Sequence, residues 1–252
     1  MKKGLYFLCV CALSMMIFSE YQKNNLEADS VQTGNFSKED QADKKIAYLS
    51  FDDGPSEITP DILDTLKKKN AKATFFLVGN EITAEREAIV KRELEEGHSI
   101  GIHTFSHKKN ELYCDETFFF QDFDQCRDRI REVTGITPTL HRFPWGSNNN
   151  YVCPIVDNLI QKLAAQNVKS FDWNVSGEDS LGTNVPKAVI YRNVAKDLER
   201  YDQPIILLHD SNTMKNTSAV LGEIIDLIVE KGYSFGTLDE REEYQFPKSW
   251  RK

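Results

Sequence analysis

The feature that most restricts how this chain can fold is a regular alternation of short apolar runs with longer amphipathic ones, sustained over roughly 205 residues. Residues 46–51, 73–78, 98–102, 139–142, 168–173, 204–208 and 234–237 read as strands. Between them, 59–70, 84–96, 115–133, 151–166, 187–200 and 218–231 read as helices. Ile62, Leu63 and Leu66 share one face of the first helix. Gly97, Gly135 and Gly232 stop three of the helices, and Pro186 stands at the start of another. Repeated strand–helix units place their strands parallel in one sheet, either closed as a barrel or open and doubly wound. No G-x-G-x-x-G follows the first strand, so a dinucleotide site has no support. About seven strands in a chain this short point to a barrel smaller than the eight-fold standard.

The N-terminus starts outside this alternation. Lys2-Lys3 and an apolar run over 4–18 have the layout of a secretory signal, and the run is shorter than a spanning helix usually needs. No A-x-A cleavage site stands nearby, so residues 1–19 are read as a signal peptide or an uncleaved N-terminal membrane anchor. Either way the protein is expected to be secreted, or anchored and facing the cell exterior. Residues 20–44 are polar and lack periodicity, which reads as a flexible linker, leaving 45–252 as one catalytic domain. The net charge of −8 and the lack of a basic run in the body argue against nucleic acid as a partner. Of five cysteines, Cys9 and Cys11 fall in the apolar run. Cys114, Cys126 and Cys153 allow three pairings for one disulfide; on one straight helix, the first two would lie ~18 Å apart and could not bond.

Polar residues gather just beyond the strands. Asp52-Asp53 follow the first, His103 and His107 the third, Arg142 ends the fourth, Asp179 lies after the fifth and His209 follows the sixth. In a parallel barrel the strand C-termini open on one face, where active sites sit. Two histidines four apart converge on one ion if the segment makes a helical turn, and a carboxylate from a neighbouring strand completes a two-His, one-carboxylate catalytic metal pattern. Adjacent carboxylates repel unless one is neutralised. A metal on Asp53 does this and leaves Asp52 ionised as a base. His209 and Asp210, taken alone, fit a structural histidine and a cap for the next segment.

Together these residues resemble the polysaccharide deacetylases, carbohydrate esterase family 4, also called the NodB homology domain. The resemblance runs over about residues 45–240 through five short motifs in fixed order. Ser50-Phe51-Asp52-Asp53-Gly54-Pro55 is similar to the family's T-F-D-D-G-P, and His103-Thr104-Phe105-Ser106-His107 fits H-[ST]-x-x-H. Arg142-Phe143-Pro144-Trp145 resembles R-x-P-Y, the stretch from Trp173 to Ser180 resembles a fourth motif that usually ends Asp-Trp, and Leu207-Leu208-His209 fits L-x-H.

The resemblance implies a distorted (β/α)7 barrel, an α/β fold akin to a TIM barrel. It implies Asp53, His103 and His107 as ligands of a divalent metal, zinc first and cobalt second. It further implies Asp52 as general base, Arg142 as the residue orienting it, His209 as general acid and Asp179 as its tuning partner. Trp145, through its backbone N–H, and Leu207 would face the substrate. The implied reaction removes acetyl groups from N-acetylglucosamine residues of a cell-envelope or extracellular glycan, peptidoglycan first. Chitooligosaccharide N-deacetylation, xylan O-deacetylation and a catalytically silent glycan-binding barrel are the alternatives; oligomeric state stays open. Two departures bear on the groove rather than the chemistry: Trp145 stands for the usual Tyr, and Ser180 for the usual Trp.

Overall fold

The computed structural model describes residues 45–182 and 184–251. The signal or anchor over 1–19 and the linker over 20–44 therefore lie outside the described residues. Its elements alternate as expected except where two strands, Lys169–Ser170 and Val175–Ser176, follow one another without a helix between them. They are β1 (Ile46–Gly54), α1 (Thr59–Lys68), β2 (Ala73–Val78), α2 (Glu87–Glu95), β3 (Ser99–Thr104), the single turn α3 (Lys109–Leu112) and α4 (Glu116–Thr134). There follow β4 (Leu140–His141), α5 (Val156–Ala164), β5 (Lys169–Ser170), β6 (Val175–Ser176), α6 (Lys187–Leu198), β7 (Ile205–His209), α7 (Lys215–Glu230) and β8 (Ser234–Phe235). Asp115 caps α4 by accepting from the N–H groups of Thr117 and Phe118, and Gly135 ends it at φ 76°.

All the pairings between strands are parallel, and the main path runs β5-β4-β3-β2-β1-β7-β6. This is the curled sheet of a distorted (β/α)7 barrel, but its seven strands are not the seven expected. The run 168–173 supplies only β5, and β6 is a separate strand that the sequence reading missed. The last expected strand, β8, lies off the main path and pairs only with the start of β1, Ile46 with Ser234 and Ala47 with Phe235.

The reason lies in the chain between β5 and β6. These strands form the two edges of the path, yet only four residues, 171–174, join them. The five steps from Ser170 to Val175 span at most ~18 Å, so the sheet must curl until its edges face one another. The opening is covered by the C-terminal segment: Phe171 forms a bridge with Tyr244, and Asp172 N–H donates to Tyr244 O at 2.7 Å.

Alternation along β1 assigns each residue its side. Leu49 and Phe51 join the large cluster between sheet and helices, with Ile62, Leu63 and Leu66 of α1, while Tyr48 joins a smaller inner cluster with Phe76, Leu140, Phe171 and Ile205. Ser50 and Asp52 share Tyr48's side and meet Arg142 above that cluster. Gly101 is required there, because a Cβ would lie 2.5 Å from the Phe76 ring. The barrel interior is thus filled below and polar at its mouth. Cys114, Cys126 and Cys153 are all free thiols; Cys126 is buried in the large cluster, and burial pushes its thiol pKa up.

Candidate active site

Two adjacent residues of a regular strand point to opposite faces, so Asp52 and Asp53 should not share a site. The strand breaks its own rule here. Pairing with β2 slips between Asp52 and Gly54, and Asp53 adopts φ 77°, a bulge that turns its carboxylate back to the mouth. Gly54 follows with no room for a Cβ, which would lie 2.5 Å from Asp210 Oδ2.

Asp52 is buried and paired. Arg142 Nη1 donates to its Oδ1 at 2.9 Å and to Ser50 Oγ at 2.8 Å, while Arg142 Nε donates to Phe171 O at 3.0 Å. The guanidinium is fully buried and lies 4.2 Å from the centre of the Phe76 ring. A buried charge is tolerated only when paired and hydrogen-bonded, and this one is both. Arg142 therefore balances the charge of Asp52 as well as orienting it, whereas the sequence reading gave it only the orienting role and had a metal neutralise Asp53.

Asp53 Oδ1 faces the Nε2 atoms of His107 at 3.3 Å and His103 at 3.5 Å. This oxygen is buried and has no hydrogen-bond partner among the described residues. His103 Nδ1 meets Arg142 O at 2.9 Å, and a carbonyl only accepts, so the proton sits on Nδ1 and the Nε2 lone pair points toward Asp53. Burial, against the pull of Asp53, lowers the His103 pKa to about 3, which keeps the ring neutral. One ligand atom from each of Asp53, His103 and His107 lies within 4.8 Å of the others. An orphaned carboxylate oxygen beside the Nε2 atoms of two imidazoles is a donor set that fits a divalent cation.

The histidines do not converge through a helical turn, as the spacing suggested. His103 is the penultimate residue of β3, and residues 105–107 fold back as a bend in which His107 takes φ 52°. The bend is held by Asp122 of α4, which accepts from Thr104 Oγ1, from Phe105 N–H at 2.5 Å and from Ser106 N–H at 3.0 Å. The sequence reading missed Asp122, one acidic residue among many on a charged helix. His107 also packs against Trp145, ring centres 4.8 Å apart.

β7 lies beside β1 with His209 opposite Asp52 in register. Asp179 takes His209 at two points: Oδ1 lies 2.8 Å from Nδ1, and Oδ2 accepts its backbone N–H at 2.8 Å. Thr217 Oγ1 adds a third bond to Asp179 at 2.8 Å. Burial alone would lower the His209 pKa, but the hydrogen bond and charge of Asp179, with Asp53 and Asp52 behind them, raise it to about 9. Asp210 is no simple cap: it accepts from Thr59 Oγ1 at 2.7 Å and Ser56 Oγ at 3.2 Å, tying the loop after β1 to the end of β7.

These groups open into a cleft of about 480 Å³. Asp52, Asp53, His103, His107, Trp145, Leu207 and His209 all line it, while Arg142 and Asp179 stand behind as supports. Ser180, where the family motif has Trp, lines it too, beside Leu181, which is 78% exposed. Glu178 and Trp173 complete its wall, and neither was assigned a role from sequence.

Residues 39–164 match the model of the family described as polysaccharide deacetylase. The chain belongs to the polysaccharide deacetylase family. A peptidoglycan-N-acetylglucosamine deacetylase of Bacillus cereus is 34% identical over 209 residues, covering 81% of this chain and 72% of that one. A bifunctional xylanase/deacetylase of Pseudobutyrivibrio xylanivorans is 31% identical over 211 residues, 84% of this chain but 33% of its own length. Among solved structures, the catalytic domain of a peptidoglycan N-acetylglucosamine deacetylase from Eubacterium rectale superposes with a TM-score of 0.74 at 30% identity, covering 88% of this chain and 99% of that domain. The polysaccharide deacetylase fold and its hydrolytic chemistry are thereby fixed for this chain.

Proposed function

We propose that this deacetylase removes the N-acetyl group from N-acetylglucosamine residues of a cell-envelope glycan, peptidoglycan foremost, and that it works outside the cell. The observation that carries the reading is one cleft holding an Arg-paired carboxylate, an Asp-paired imidazole and the Asp53–His103–His107 donor set. Zinc is the metal that donor set suits best, with cobalt able to replace it. When bound, such a cation polarises an acyl carbonyl and acidifies water. The protein's own groups supply the proton transfers. Asp52, oriented by Arg142, takes a proton from the attacking water. The Trp145 backbone N–H serves the oxyanion, and Leu207, which lines the cleft, contacts the substrate. His209, kept protonated by Asp179, donates to the leaving nitrogen. An amine leaves poorly without that proton, so a histidine raised to about 9 suits an amide better than a neutral one would.

Export rests on the basic start and apolar run of residues 1–19. The relationship to a xylanase/deacetylase supports acetylated xylan as the second substrate class. Acetate release from peptidoglycan, N-acetylchitooligosaccharides and acetylxylan, after chelation and after adding back Zn²⁺ or Co²⁺, tests the reading. Release from acetylxylan alone, or full activity in a verified metal-free sample, refutes it.

A further inference from the structure

The catalytic cleft does not end at Trp173. A second cleft of about 170 Å³ shares Trp173, Ser176 and Glu178 with it and leads away along the barrel flank, between α6 and the C-terminal segment. Its far reach is lined by Tyr201, in the loop after α6. Neighbouring Asp202 accepts the N–H of Ile46 at the opposite end of β1 from Asp52, so the cleft runs down the side of the sheet from its mouth.

Aromatic rings form a file along this path. Trp173 stands edge-on to Phe246 at 5.0 Å, and Phe246 tilts against Trp250 at 5.7 Å. The outermost ring, Trp250, is 52% exposed. Leaving half an indole in water is unfavourable for folding, yet the segment that presents it is firmly held. Asp172 accepts Phe246 N–H at 2.7 Å and donates its own N–H to Tyr244 O at 2.7 Å. Lys248 and Arg251, on either side of Trp250, both pair with Asp157 of α5. Across the rings stand Asn193 and Asp197 of α6 and Glu178, held in place by Asn193 donating to Glu178 at 3.1 Å and Arg200 donating to Asp197 at 2.8 Å. On the other side of the metal donors, the cleft sharing Asp53 and His107 is lined by residues such as Ser56, Glu81, Asn212 and Thr213, and by no aromatic ring except that of His107.

We propose that the flank cleft is a second glycan site, holding sugar residues of the same chain beside the one being deacetylated, with Trp250 as its outer stacking platform. A pyranose has apolar C–H faces and a hydroxyl rim. The file of rings takes the faces; Asn193, Asp197 and Glu178 take the rim. Continuity with the catalytic cleft through Trp173 makes the occupant the same polymer rather than a separate ligand. The grip is one-sided, so longer chains are better substrates and the deacetylated position is fixed relative to one end of an oligomer.

This inference rests on the deacetylase reading above, and two measurements keep them separable. The first is kcat/KM for N-acetylchitooligosaccharides of two to six residues, with Trp250→Ala and Trp250→Phe. In the unaltered enzyme the hexamer-to-dimer ratio stands well above one. Trp250→Ala lowers that ratio on the order of tenfold, mainly through KM, the usual scale for truncating an interfacial Trp. Trp250→Phe restores most of it. An equal loss at every length, or an unchanged ratio, overturns the proposal. The second is hexamer binding by titration calorimetry, which reads the cleft whether or not acetate is released. Binding that Trp250→Ala does not weaken overturns the proposal. Absence of acetate release from every oligomer, with hexamer binding still dependent on Trp250, tells against the substrate assigned under the proposed function and leaves the glycan cleft standing.

Discussion

Asp179→Asn separates the charge behind His209 from the hydrogen bond that holds it. The side-chain oxygen of Asn still accepts from Nδ1–H, while the negative charge is gone. In the intact chain burial works against the imidazolium, and Asp179, with Asp53 and Asp52, carries the pKa up to about 9. With no charge at 179, burial, the largest influence on the ring, prevails and the pKa falls toward its ordinary 6.5. The drop is ~2.5 pH units, or about 3 kcal/mol of lost imidazolium stabilisation. At pH 8 the variant keeps only about 3% of His209 protonated, so kcat/KM on an N-acetylated oligomer falls roughly thirtyfold, while at pH 5.5 it changes little. The alkaline limb of the pH–rate profile moves down by about two units or more.

Folding follows the same sign. The folded-state pKa lies above the unfolded one, so the His209–Asp179 pair stabilises the fold fully below pH 6.5, and that stability is lost as pH rises toward 9. Asp179→Asn flattens this slope in thermal melts. Rate profiles of acetate release from pH 5 to 10, with an NMR titration of the His209 ring, make the test. An alkaline limb that stays in place in the variant refutes the assignment of His209 as the acid held by Asp179.

Four further outcomes are expected. His107→Ala abolishes zinc binding in calorimetry with little loss of melting temperature, since the ring is partly exposed and the site is not part of the core. Asp52→Asn lowers kcat on the order of 10²–10⁴ while zinc stays near stoichiometric; an emptied site would reverse the roles of the two aspartates. Asp122→Ala frees the bend carrying His107 and weakens zinc affinity roughly 10–100-fold, read by competition with a chromogenic chelator. Glu93 is fully buried, its carboxyl has no hydrogen-bond partner among the described residues, and burial followed by the charge of Asp210 raises its pKa well above 4.5. The folded chain therefore holds a proton that the unfolded chain releases, stability declines as pH rises above 4.5, and denaturant titrations of Glu93→Gln should show that decline removed.

Most of the site was legible because strand ends in a βα repeat are forced onto one face. Asp52, His103, Arg142 and His209 each follow a recognisable apolar run, and register then sets His209 beside Asp52. What escaped was geometry with no periodic signature. The bulge at Asp53 depends on a single positive φ, and the bend at His107 on a carboxylate supplied by α4. The split between β5 and β6 was hidden because 168–173 reads as one strand, although Phe171 and Trp173 cross the opening of the barrel rather than extend an edge. The C-terminal segment carries no alternation, so neither its cover over that opening nor the position of Trp250 could be read from its residues.

The order of strands also sets an order of assembly. The three proposed metal donors, Asp53, His103 and His107, lie on β1, β3 and the turn after β3, joined by two short βαβ steps. The proposed acid, His209, arrives on β7, whose ladder with β1 closes contacts as distant as Ser50 to Ile206, 156 positions apart. Loop-closure entropy makes such a ladder late relative to its local neighbours. A refolding chain should therefore acquire tight zinc binding before it acquires hydrolysis, and stopped-flow refolding with a zinc-sensitive dye and a fluorogenic acetyl substrate would resolve the two phases. The β1–β7 junction then acts as a completion check: until the last third of the domain has docked, the chain carries its metal but has no group to release the product amine.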